Sequence, residues 1–69
     1  MSKLLRLPDV MAATGLSRSE IYRRLARGEF PRRIPLSADG RAIAFDEQEI
    51  QEWIRACIAR RDRRETVAA

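Results

Sequence analysis

Apolar positions follow two different periods along this chain of 69 residues. In the first part, and again after residue 46, apolar residues recur every three or four positions, which is typical of helices with one buried face. Between Arg32 and Phe45 they alternate with other residues, which is typical of strands. The pattern therefore predicts two helices, a two-stranded hairpin and a last helix, in that order.

Capping and breaking residues predict the bounds of the first two helices. Pro8 suits the first turn of a helix over about residues 8–14, and Gly15 suits its end. Ser17 and Glu20 have the spacing of a capping box, in which the serine hydroxyl accepts from the amide of residue 20 and the carboxylate accepts from the amide of residue 17. The second helix is predicted over about residues 18–27, and its short connection to the first is typical of a helix-turn-helix.

The alternating segment predicts a hairpin over about residues 33–45, with the Asp-Gly pair at its tip as a two-residue turn. Such a turn places Ile34 opposite Phe45 and Leu36 opposite Ile43. Both pairs are apolar and lie on one face of the hairpin, so this face is expected to pack on the helices.

The last helix is predicted over about residues 47–61, after a capping sequence that begins at Asp46, and residues 62–69 are expected to fray. Trp53 is the expected centre of the core. The apolar stripe of this helix consists of Ile50, Trp53, Ile54, Cys57 and Ile58. The predicted fold is mainly α with a small β-hairpin, a winged helix-turn-helix in a single domain over residues 1–69.

Composition excludes several classes of function. The chain has one cysteine and no histidine, which rules out an internal disulfide, a tetrahedral zinc site and a Ser/His or Cys/His catalytic pair. A chain this short is also poorly able to enclose a catalytic pocket. We therefore expect no catalytic residues, no metal, no cofactor and no enzymatic activity. The first residues contain no long apolar run, so a cytoplasmic protein without a membrane partner is expected.

Positive charge is concentrated in the first two thirds of the chain. Residues 1–45 contain nine basic and four acidic side chains, a balance of +5, whereas residues 46–69 contain five and six, a balance of −1. Nearly all the cations are arginine, which binds phosphate and guanine edges bidentately. Charge alone is equally consistent with a nucleic-acid partner and with an ordinary solvated surface.

The candidate DNA-binding residues follow from the second helix and the hairpin. At 100° per residue, Ile21 and Leu25 point inward while other side chains of that helix point outward. Arginines at the base and tip of the hairpin could hold phosphates, although Arg41 could instead only cap the turn, and Lys3 and Arg6 are less favoured backbone contacts. The candidates are Ser17, Arg18, Ser19, Tyr22, Arg23, Arg27, Arg32, Arg33 and Arg41.

Between Leu4 and about Ile58 the chain resembles the AlpA family of short prophage regulators, which is grouped with MerR-like winged-helix proteins and excisionases. The hairpin tip at residues 37–40 departs from a more glycine-rich family pattern, which leaves the contact geometry of the wing open. The matching segments are Leu5-Arg6-Leu7 with Val10, Thr14-Gly15-Leu16-Ser17-Arg18-Ser19, Ile21-Tyr22-Arg23, Gly28 with Phe30-Pro31, Arg41, Glu49-Ile50 and Trp53-Ile54.

Three functional hypotheses follow. The resemblance implies double-stranded DNA as the partner, either in sequence-specific transcriptional regulation or in excisionase-like DNA bending that assists an integrase. A homodimer or a cooperative array on DNA is expected, because one small domain has a small footprint. An integrase or RNA polymerase could be a protein partner. The third hypothesis is a protein-interaction module that uses the same fold without nucleic acid.

Overall fold

A computed structural model describes the backbone of residues 3–68 and the side chains of residues 3–64. The fold is the predicted mainly helical one with a small sheet. The first two helices lie where the capping residues predict them. In chain order the elements are β1 (Leu4–Leu5), α1 (Leu7–Thr14), α2 (Arg18–Ala26), β2 (Ile34–Pro35), β3 (Ile43–Asp46) and α3 (Glu47–Ala68).

The helix α3 is longer than the sequence pattern predicts. Its 22 residues continue through the segment expected to fray, as far as Ala68, and residue 69 lies outside the described residues. The prediction stopped where the apolar stripe ends. However, residues 47–68 include no glycine or proline and are rich in arginine, glutamate and alanine, so intrinsic helix propensity favours continuation.

The sheet has a strand that the sequence pattern does not predict. Its three strands are antiparallel in the order β1-β3-β2, with Leu5 of β1 opposite Phe45 of β3. The amide of Glu47 also donates to the carbonyl of Lys3 at 2.7 Å, which extends the contact by one step. Two residues are too few to show an alternating pattern, so β1 exists only through its pairing with β3.

The predicted hairpin register is wrong by one residue. Ile34 lies opposite Ala44 instead of Phe45. Leu36 is likewise not opposite Ile43, and its side chain is 43% exposed rather than part of the core. A one-residue change of register moves a side chain to the other face of a strand, which explains the exposure of Leu36.

The physical reason for the register is the size of the turn. Instead of a two-residue loop, Gly40 donates its amide to the carbonyl of Ser37 at 3.1 Å. Asp39 Oδ1 accepts from the Ser37 hydroxyl at 2.6 Å and from the Arg41 amide at 3.1 Å. These bonds fold residues 37–41 into a wider loop, in which Gly40 has a φ of 72°.

The core centres on β3 rather than on Trp53. Phe45 is fully buried on this central strand, whereas Trp53 lies half-buried at the edge with its ring centroid 5.0 Å from that of Phe30. Cys57 is half-buried, and Ile58 is 45% exposed near the outer end of the stripe. The buried residues are Leu7, Val10, Ile21, Phe30, Ala44, Phe45 and Ile50.

None of the helices within the described residues is both long enough and apolar enough to cross a membrane.

Candidate nucleic-acid interface

The connection between α1 and α2 is held by local hydrogen bonds. Gly15 ends α1 with a φ of 75° and donates its amide to the carbonyl of Met11 at 2.9 Å. The hydroxyl of Thr14 donates to the carbonyl of Val10 at 2.7 Å and accepts from the amide of Leu16 at 3.3 Å. Leu16 is half-buried against the core, so the angle between the two helices is fixed by both bonding and packing.

Ser17 caps the helix α2 as expected, but one arm of the capping box differs from the prediction. The Ser17 hydroxyl accepts from the amide of Glu20 at 3.2 Å. The Glu20 carboxylate accepts from the Ser17 hydroxyl at 3.1 Å, instead of from the Ser17 amide. The Ser17 hydroxyl therefore both donates and accepts a hydrogen bond within the cap.

The helix α2 is anchored by one face only. Ile21 is fully buried and Leu25 packs half-buried beside it. On the other side, Ser19 and Arg23 are exposed, as is Arg27, the residue that caps the end of the helix. The structure thus places these three candidates where the helical projection predicts, on a face that can meet a partner without disturbing the core.

One aromatic residue joins α2 to the base of the hairpin. Tyr22 is 37% exposed, and the guanidinium carbon of Arg33 lies 6.0 Å from the centroid of its ring. This distance is within the range of a cation–π contact. Arg33 is therefore placed beside the middle of α2, while the adjacent Arg32 is exposed.

A depression of about 340 Å³ lies between the beginnings of α1 and α2 and the hairpin, and we call it the arginine depression. Arg6, Arg18 and Arg41 line it together with Tyr22, and its apolar lining is formed by Leu7, Pro8 and Ile43. Arg6 immediately precedes α1, Arg18 is the first residue of α2, and Arg41 shortly precedes β3. The structure therefore groups three candidates, Arg18, Tyr22 and Arg41, with Arg6, a residue that the sequence pattern favoured less.

The turn of the hairpin orders the backbone around Arg41 while leaving its side chain exposed. The hydrogen bonds from the Ser37 hydroxyl and from the Arg41 amide hold the pKa of Asp39 below its ordinary value of 3.8. The guanidinium Nε of Arg41 is 3.8 Å from Asp39 Oδ2, and the Arg41 side chain is 90% exposed. The capping function thus belongs to the backbone of Arg41, and the side chain is available to a ligand.

The other arginines of α2, and Arg27 at its C-cap, divide between packing and surface. The guanidinium carbon of Arg24 lies 5.8 Å from the centroid of the Trp53 ring, so this side chain covers the edge of the core. Arg23 and Arg27 line a second, smaller depression of about 80 Å³, with Glu20 and Arg24. The candidates therefore form two groups, one beside the hairpin and one along the outer face of α2.

Two helices joined by a tight turn, followed by a hairpin and a third helix, with arginines exposed on the second helix and the hairpin, define a winged helix-turn-helix protein. The model of the family described as "Prophage CP4-57 regulatory protein (AlpA)" matches residues 3–58. The chain belongs to this AlpA family, which confirms the resemblance.

A relative from Enterobacteria phage P4, with the printed name "Uncharacterized protein ORF88", is 41% identical to the chain over 61 residues, which is 88% of this chain and 67% of the relative. The family is regulatory rather than enzymatic, and the chain is in general terms a DNA-binding regulator.

Proposed function

We propose that this protein is a sequence-specific transcriptional regulator that places α2 in the major groove of double-stranded DNA. The observation that supports this most strongly is the division of α2 into a buried face at Ile21 and an exposed face with Ser19, Arg23 and Arg27. A helix anchored in this way can enter a groove as a rigid element, since its packing is complete before DNA is bound.

The side chains of α2 differ in the contacts they offer. Arg23 can donate two parallel hydrogen bonds to a guanine edge, which makes it the base-reading candidate, whereas Arg18 in the first turn can bind a phosphate. Ser19 can bond a phosphate or a base, and the Tyr22 hydroxyl lies on the same exposed side. Ser17 is committed to capping α2 through Glu20, so its contribution to binding is to hold the first turn in place.

The hairpin is assigned to the DNA backbone. Arg32, Arg33 and Arg41 are exposed, and Arg33 and Arg41 lie beside α2 on the hairpin side. Contacts to phosphate add affinity for any sequence and increase the dependence on salt, but they do not select bases. The hairpin therefore supplies affinity while α2 supplies specificity.

A homodimer or a cooperative array on DNA completes the proposal. The nine residues of α2 span about 13 Å, which is shorter than a half-turn of DNA and too small a footprint for strong specific binding by one copy. Regulation then follows from occupancy of DNA in the cytoplasm, or from contact with an integrase or RNA polymerase at the bound site.

The first experiment is selection of duplexes from a random pool at moderate salt, followed by affinity measurements on the enriched sequence. We expect Arg23→Ala to weaken binding by about 1–3 kcal/mol and to relax the preference at one base pair. Arg41→Ala should weaken binding to all sequences alike and lower the salt slope by about one. Arg55→Ala is the matched control, because Arg55 is an exposed arginine on α3.

Each result separates this proposal from its alternatives. Failure to enrich any motif, together with loss of binding no greater in Arg23→Ala than in Arg55→Ala, would exclude base reading by α2. Bending of the selected duplex in a circular-permutation gel, with stimulation of integrase-mediated excision, would assign the excisionase-like role. Absence of any retarded duplex at low salt, with a stable protein complex instead, would assign the protein-interaction role.

A further inference from the structure

The arginine depression is lined by arginines from three separate parts of the chain. Arg6, Arg18 and Arg41 belong to the start of α1, the start of α2 and the end of the hairpin loop. Like charges placed around one depression repel each other unless an anion lies between them. Their convergence therefore points to a ligand of negative charge.

Neutralisation from within the protein is slight. In the part of the chain whose side chains are described, Arg6 and Arg18 form no ion pair. Arg41 has only the contact of 3.8 Å with Asp39, in which the two side chains are 90% and 60% exposed. An exposed pair of this kind contributes little and competes weakly with a ligand.

The lining indicates which anion fits. Beside the guanidinium groups, Leu7, Pro8 and Ile43 offer apolar surface, and Tyr22 offers a ring and a hydroxyl. A phosphodiester joined to deoxyribose combines the required charge with an apolar sugar ring. The depression also borders both the first turn of α2 and the hairpin, the two elements assigned to DNA above, so the backbone of a bound strand would pass it.

We propose that Arg6, Arg18 and Arg41 together bind a single backbone phosphate of the DNA strand that runs between α2 and the hairpin. This inference rests on the proposed function and adds two statements to it. Arg6, which lies outside both α2 and the hairpin, contacts DNA. The three arginines share one phosphate, which fixes the register of α2 along the groove.

Sharing one phosphate has a measurable signature in the salt dependence. The logarithm of affinity falls with the logarithm of salt concentration by about 0.9 for each phosphate neutralised. If Arg6 and Arg41 held separate phosphates, the double variant Arg6→Ala/Arg41→Ala would lose nearly two units of slope, about twice the loss for one phosphate. With one shared phosphate, the double variant should lose only about one. The loss of binding free energy in the double variant should also differ from the sum of the losses in the two single variants, because both residues act on the same phosphate.

The experiment measures affinity for the selected duplex at several salt concentrations for wild type, both single variants, the double variant and the control Arg55→Ala. We expect each single variant to bind about tenfold more weakly, with Arg55→Ala close to wild type. Arg6→Lys should recover much of the salt slope that Arg6→Ala loses, because it restores the charge. Circular dichroism of each variant verifies the fold.

A second arm locates the phosphate by replacing one phosphodiester at a time with a neutral methylphosphonate. Wild type should lose affinity at one position that has a much smaller effect on the double variant, in which only Arg18 still contacts that phosphate. A third arm titrates inorganic phosphate and follows the NMR signals of the arginine Nε–H groups, which should shift together at Arg6, Arg18 and Arg41.

The outcomes distinguish failure of the shared-phosphate site from failure of the proposed function. If wild type binds the duplex and Arg6→Ala binds it equally well with the same slope, the shared-phosphate site is wrong and the proposed function stands. If inorganic phosphate shifts the three signals but no methylphosphonate position depends on them, the depression takes a free ion and the inference is also wrong. If wild type binds no duplex at all, the proposed function itself fails.

Discussion

Trp53 joins α3 to the end of α2, and its replacement by phenylalanine tests how that junction is held. The indole Nε1 donates to the carbonyl of Glu29 at 3.1 Å, just beyond the end of α2. The ring also meets Phe30 at a centroid distance of 5.0 Å and lies beneath the guanidinium of Arg24 at 5.8 Å. Trp53→Phe keeps an aromatic ring beside Phe30 but removes the hydrogen bond and takes the indole ring away from the Arg24 guanidinium, so that the cation–π contact is lost as well.

The expected loss of stability is the sum of the contributions of the hydrogen bond and the cation–π contact. The hydrogen bond contributes about 0.5–1 kcal/mol, at the lower half of the usual range because it is exposed to water. The exposed cation–π contact contributes about 0.5–1 kcal/mol. Together they predict a decrease of about 1.5 kcal/mol in the free energy of unfolding, or about 6–12 °C in Tm for a domain of this size.

The assay is thermal and urea unfolding followed by circular dichroism at 222 nm, since Trp53 is the single tryptophan and its fluorescence is lost in the variant. Arg24→Ala is the matched control, because it removes only the cation, and it should lose about 0.5–1 kcal/mol. A Tm of Trp53→Phe within 2 °C of wild type, a margin of about 0.5 kcal/mol or less, would refute the reasoning, as would a loss no larger than that of Arg24→Ala. At temperatures below the Tm of both wild type and Trp53→Phe, DNA affinity should be unchanged, because Trp53 contacts α2 at Arg24 and not at the exposed Ser19 or Arg23.

Three local features give further predictions. Gly15→Ala should destabilise the protein by about 1–2 kcal/mol in urea unfolding, because alanine is strained at a φ of 75° even though its Cβ would meet no neighbouring atom within 4 Å. Ser17→Ala should lose about 1 kcal/mol by the same measurement through loss of the cap on α2, whereas Ser19→Ala should leave stability nearly unchanged and weaken DNA binding. The carboxyl carbon of Asp39, followed by NMR, should titrate with a midpoint below 3.8, so the tip is fully stabilised above that ordinary value and loses this stabilisation as the pH falls through the lowered pKa.

The helices were predictable because their ends depend on residues close in sequence. Pro8 and Gly15 bound α1, and Ser17 caps α2, all through contacts within a few residues. The inward and outward faces of α2 follow from the period of the helix alone, which is why Ile21 is buried where expected. Contacts between residues so close in the chain can be predicted from a single sequence.

The sheet was less predictable because its pairing depends on contacts that local pattern does not contain. Asp39 and Gly40 are typical of a two-residue turn, but the side-chain bond between Ser37 and Asp39 favours a wider loop and moves the register by one. Similarly, Trp53 has the size expected of a core residue. Its indole nitrogen instead donates to the carbonyl of Glu29 in an exposed hydrogen bond. Phe45 on the central strand is fully buried in its place.

The strand that the sequence pattern missed is also the element that assembles the arginine depression. Leu5 pairs with Phe45, and because β1 and β3 are antiparallel, the chain leaves β1 at Arg6 toward the end of β3 from which Arg41 enters. Arg6 and Arg41 are separated by 34 intervening residues, and this pairing, together with the packing of α1 on β3, brings them to one site. The sequence pattern therefore ranks Arg6 low for the same reason that it misses β1, because both depend on the pairing of β1 with β3. It follows that the phosphate site is formed by the sheet, and that α2 supplies only one of its three arginines.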